Sequence, residues 1–179
     1  SLVGTLGTVA AATGRFDEAL SRLREAEGIY TRHGNMAQSQ KCQLNICVIL
    51  EKLGRIEEAT ERVGQLKSIE NIPVYTRSFV DLLEMKLLIR AEDWVSAQEL
   101  GEGLIPALES MQSWDHTISA HAYLAICAAG LGRNPELHLT KAEATLKRLS
   151  LAETSPEGTI LMEAKAQVAE LQSRDNTPA

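Results

Sequence analysis

The chain has 179 residues and a formal net charge of −6. Its isoelectric point lies near 5.3. Apolar residues make up 44% and aromatic residues 4%, which is enough to bury a core but poor in the side chains that fill sheets, so the composition points to an all-α protein. No Lys/Arg cluster offsets the acidic balance, which excludes the electrostatic footprint of a nucleic-acid binder, and no apolar run approaches the roughly 20 residues of a membrane span.

Apolar residues recur with helical spacing along most of the chain. In chain order the segments are LVGTLGTVAAAT from Leu2, FDEALSRLREAEGIYTRH from Phe16, QLNICVILEKL from Gln43 and IEEATERVGQLKSI from Ile56. Then come FVDLLEMKLLIRA from Phe79, WVSAQELGEGLIPALESM from Trp94, ISAHAYLAICAAGL from Ile118 and ELHLTKAEATLKRL from Glu136. In the second segment Phe16, Ala19, Leu20, Leu23, Ala26, Ile29 and Tyr30 form one stripe, while Arg15, Glu18, Arg22 and Glu25 fall mostly outside it. Ser155-Pro156-Glu157 is a helix start, a capping residue followed by Pro at the first helical position. The last helix, 156–172, carries the stripe Leu161, Ala164, Val168 and Leu171 and reads as a cap on the segments before it. Residues 173–179 read as a flexible polar tail. No basic region marks Ser1 to Ala12 as a signal peptide.

One phrase recurs between these segments. GRFDEA opens at Gly14, GRIEEA at Gly54, EDWVSA at Glu92 and GRNPEL at Gly132, a nearly even spacing. A glycine suits the position after a helix end. A large side chain, Phe16, Ile56 or Trp94, anchors the next helix. Acids in its first turn oppose the positive end of the helix dipole. Ala19, Ala59 and Ala97 leave room for a neighbouring helix. The phrase is therefore the joint of an antiparallel helix pair, and it divides the chain into four pairs.

On these residues the chain resembles the tetratricopeptide repeat family. Leu6, Gly7 and Ala10, then Ala19, Leu23 and Ala26, fit the family's helix A and helix B positions in the first pair. Ile46, Cys47 and Leu50, then Ala59, Val63 and Leu66, fit them in the second, and Leu124, Ala125 and Ala128 fit helix A of the fourth. Each repeat is several residues longer than the family's usual unit. Met85 stands at a small-residue site, Gly101 at a large one, and Leu137 where Ala is expected. The resemblance implies a right-handed α-solenoid of about four helical hairpins, with repeats at 1–34, 36–70, 73–112 and 115–150. Together with the capping helix they make a single domain, 1–172.

No catalytic motif stands out. Cys42, Cys47 and Cys127 show no metal-ligand spacing; Cys42 and Cys47 are about 140° apart around one helix. His33, His116, His121 and His138 are scattered, and Asp115-His116 is only a dipeptide. No P-loop, dinucleotide fingerprint or nucleophile elbow is present. The sequence predicts no enzyme, no metal and no cofactor. Three cysteines without a framework suit a reducing, cytoplasmic compartment.

The resemblance also places a site. The outward face of each helix A would line a concave groove: Lys41, Leu44, Asn45, Val48 and Lys52; Leu82, Lys86, Ile89 and Arg90; Ser119, Ala122 and Ile126. This mildly basic, partly aliphatic stripe predicts a scaffold that binds a peptide or partner domain of acidic character, without nucleic acid or membrane. Self-association of the chain stays open. The alternative is a ligand- or partner-sensing arm of a larger bacterial signalling ATPase or transcription regulator, motivated by a start at Ser rather than Met and by a flavour shared with the helical arms of such proteins.

Overall fold

The computed structural model describes residues 14–70 and 72–175. Among them are eight helices and no strand. They are α1 (Phe16–Arg32), α2 (Met36–Lys52), α3 (Ile56–Lys67), α4 (Val74–Arg90), α5 (Trp94–Ser110), α6 (Trp114–Gly130), α7 (Glu136–Arg148) and α8 (Pro156–Asp175). The protein is all-α over these residues, as composition and periodicity predict. The helix expected from Leu2, with Leu6, Gly7 and Ala10, lies outside the described residues. No described helix is long and apolar enough to cross a membrane. The last helix runs through Asp175 rather than ending at 172, and its final turn holds the Arg174–Glu170 pair at 2.5 Å and the Ser173 hydroxyl donating to the Glu170 carbonyl.

One joint recurs through the chain. Gly14, Gly34, Gly54, Glu92, Gln112, Gly132 and Ser150 all have φ between +54° and +75°. At six of them two backbone bonds close the preceding helix. Gly54 N–H donates to Glu51 O and Arg55 N–H to Leu50 O; Gln112 N–H donates to Glu109 O and Ser113 N–H to Leu108 O. This is the Schellman arrangement, which satisfies carbonyls that a helix end would leave orphaned. The joint read from GRFDEA thus also stands at Gly34, Gln112 and Ser150, between the predicted pairs. Between α3 and α4 no described residue takes a positive φ, and Ser68 N–H bonds Gly64 O.

Internal packing divides the chain into two compact units, one ending at Pro73 and one beginning at Val74. In the first, α1 packs on α2 and α2 on α3. Its core includes Leu20, Leu23, Ile46, Cys47, Leu50, Ala59, Val63 and Leu66. Glu27 of α1 accepts from Gln43 of α2 at 3.0 Å and pairs with Arg62 of α3 at 3.4 Å, so one carboxylate ties three helices.

In the second unit α4, α5, α7 and α8 all pack against α6. The core joins Met85 and Ile89, Ala97, Ile118, Ala122, Leu124 and Ala125, Leu139, Ala142 and Leu146, and Leu161, Ala164 and Val168. Two departures from the repeat pattern explain each other here. A Cβ on Gly101 would stand 2.6 Å from Met85 Cε and 2.9 Å from Leu124 Cδ2. The large residue at the small site therefore occupies the space left by the small residue at the large one. The third departure is a shift of register. Asn134 and Pro135 delay the start of α7, so Leu137 is 62% exposed and Leu139 and Ala142 take the inward positions.

Candidate functional site

Of the twelve groove residues, five lie in the first unit and seven in the second. In the first, Lys41, Asn45, Val48 and Lys52 follow helical spacing along α2 and are exposed or half-buried; Leu44 is buried. The Lys52 ammonium sits 5.9 Å from the centroid of the Phe16 ring, a cation–π contact with the start of α1.

In the second unit Leu82 is buried with Leu104, Leu108 and Ala120. Ser119 is buried and its hydroxyl donates to the Asp115 carbonyl at 3.3 Å. Ala122 and Ile126 pack in the core that includes Leu161, Ala164 and Val168 of α8. Ser119, Ala122 and Ile126 are thus covered because α6 has a neighbour on every side. Lys86 is half-buried, Ile89 is buried and Arg90 is exposed.

Four of these seven nevertheless meet. Lys86, Ile89, Arg90 and Ile126 line one open cleft of about 360 Å³ between α4, α6 and α8. Tyr123 and Ile160 complete its apolar side, and Glu163, Gln167 and Glu170 of α8 form its far wall. Glu170 is held by Arg174, which also reaches Glu92 at 4.0 Å, so the end of α8 is tied to the α4–α5 joint. The apolar stripe of α8 marks it in the sequence as a cap only. The stripe beside it, Ile160, Glu163, Gln167 and Glu170 at i, i+3, i+7 and i+10, carries the signal for the wall of the cleft.

The remaining candidates take structural places. All three cysteines are buried. Burial pushes the Cys47 and Cys127 thiols up to about 12 and raises Cys42 as well, with Glu27 adding to the last. None is a ready thiolate at neutral pH. His116 lies under Tyr75 and Phe79, with ring centroids at 5.1 and 5.5 Å, and its Nδ1 is 2.8 Å from the Ser113 hydroxyl. Burial lowers its pKa, against the pull of Asp115 and Glu157. Trp114 carries the Arg148 guanidinium 3.9 Å from its ring centroid. Among the described residues no three His, Cys, Asp or Glu side chains are grouped to hold a metal ion.

No protein-family model matches the chain, and no curated protein matches it at a significant level.

Proposed function

We propose that the chain is a protein-interaction scaffold whose helical hairpins are of the tetratricopeptide type, part of an α-solenoid, and that it binds a peptide in the cleft between α4, α6 and α8. The convergence of Lys86, Ile89, Arg90 and Ile126 on that one cleft carries the reading. The recurring joint and the packing of α4 on α5, α5 on α6 and α4 on α6 support the hairpin assignment. A volume of about 360 Å³ lies at the small end of ligand pockets, suited to a few residues of extended chain. Ile89, Ile126, Ile160 and Tyr123 would take apolar side chains. Lys86 and Arg90 would orient an acidic residue, and Glu163 opposite would favour a basic one, so the peptide carries both signs rather than acid alone.

Selection of peptides from a displayed random library tests this. Binders are expected to lose about tenfold or more in affinity on Lys86→Glu with Arg90→Glu, the scale of a disrupted charge pair. Equal binding by the charge-reversed protein would remove the cleft as the site.

A further inference from the structure

His121, on α6, and His138, on α7, meet across the contact between these helices. Their Nδ1 atoms are 3.3 Å apart, their ring centroids 5.5 Å apart, and the planes are tilted by 35°. His121 is buried and His138 half-buried. This hydrogen bond admits few proton arrangements. With both rings neutral, one carries its hydrogen on Nδ1 and donates, and the other carries it on Nε2 and accepts. With one ring protonated the bond survives, because the cation donates from Nδ1 to the lone pair of its neutral partner. With both protonated, two N–H groups point at each other and two positive charges stand at hydrogen-bond distance.

We propose that this pair is an acid-operated latch between α6 and α7: it holds while the rings carry at most one added proton, and it opens the contact when both are charged. The surroundings favour the uncharged pair. Burial, then His138, then Lys141 push His121 down to about 4. Burial and Lys141 also lower His138, and Glu102 opposes them. The charges bearing on the pair thus come from Lys141 on α7 itself and Glu102 on α5, whose carboxylate also accepts from Gln98 at 2.6 Å. The rings titrate as a unit, so the two proton steps belong to both. Besides the pair, α7 is held by its buried Leu139, Ala142 and Leu146, by the Arg148 guanidinium over Trp114 of α6, and by Glu143 pairing with Lys165 of α8 at 2.6 Å. These contacts lie along the rest of the helix, so loss of the pair loosens the α6–α7 contact locally, where the two histidines meet.

Amide hydrogen exchange over residues 136–148, corrected for intrinsic rate and run with EDTA present, tests the latch. Protection is expected to fall by about tenfold or more between pH 7.5 and pH 5, because the opened histidines bind protons that the closed pair excludes. In His138→Gln only His121 is left to titrate against its burial, so the fall should be several-fold smaller than in the wild type, beyond the change in helices distant from the pair. Wild-type protection that ignores pH, or a Gln variant that follows the wild type, overturns the proposal. Should the variant fail to fold, nitrogen-15 spectra of the wild-type histidines decide the matter. One Nδ1–H and one Nε2–H tautomer at pH 7.5 are expected; two Nε2–H tautomers with independent, ordinary titrations would refute it.

Discussion

The two units use the same joint and stabilise it differently. Among the described residues of the first, each positive-φ position is a glycine: Gly14, Gly34 and Gly54. In the second, three of the four are not: Glu92, Gln112 and Ser150 accompany Gly132. A side chain in this conformation costs about 1–2 kcal/mol per residue. The second unit therefore carries a strain that the first avoids. It also has more packing to set against it. Helix α6 buries 13 of its 17 residues, whereas α2, of equal length, buries 8. The difference teaches that the joint geometry does not depend on glycine where tertiary packing over-determines the turn.

The sharpest way to break the comparison is to remove α8. Truncation before Pro156 strips Leu161, Ala164 and Val168 from the core of the second unit, and at about 1.5–3 kcal/mol for each large side chain the loss should reach roughly 5 kcal/mol. Denaturant unfolding followed by near-ultraviolet circular dichroism should show the tryptophans of the second unit losing their cooperative transition. An unchanged midpoint would mean that α6 does not depend on its fourth neighbour.

Acidity comes next. Above about pH 6.5 folded and unfolded chains both hold His121 neutral, and it adds no pH dependence. As pH falls from there to about 4, the unfolded chain takes up a proton that the folded chain refuses, so stability declines. Below that the loss levels off, at about 3 kcal/mol or less. Subtracting the acid dependence of His121→Gln from that of the wild type isolates this share.

A smaller effect is expected at Gly130, where a Cβ would stand 2.5 Å from the Trp94 ring. The indole is rigid and cannot swing aside as a methionine end can, so Gly130→Ala should cost about 1–3 kcal/mol of stability by thermal melting. The smallest effects come from the joints and run in opposite directions. Gln112→Gly should stabilise the second unit by about 1 kcal/mol, and Gly54→Gln should destabilise the first by a similar amount. Two changes of the same sign would show that the strain is not where φ places it.

Much of this is legible in the sequence because helix period and glycine are local signals. The joints at Gly14, Gly54, Glu92 and Gly132 can be aligned by the phrase that follows them. Those at Gln112 and Ser150 cannot, since a Schellman closure is made of backbone bonds and leaves no required side chain. Met85 and Gly101 read as two separate defects until α4 and α5 are brought together, because the meaning of each lies in its contact with the other. The groove is hardest. The register carried over from the resemblance assigns Leu44, Leu82, Ser119 and Ala122 to an outer face, and register fixes direction around one axis without saying which neighbour stands there. For Ala122 and Ile126 that neighbour is α8, which the chain reaches only after passing through α7.

The joint has one more implication. From Gly14 to Gly34 to Gly54, and again from Glu92 to Gln112 to Gly132, the chain returns to the same backbone state at equal intervals. Each return is written in main-chain bonds, so it is indifferent to the words on either side. Such a chain is punctuated in a fixed metre. Two beats spliced in at one of these marks would leave the closures before and after it in step, while a cut in the second unit would also remove packing from α6.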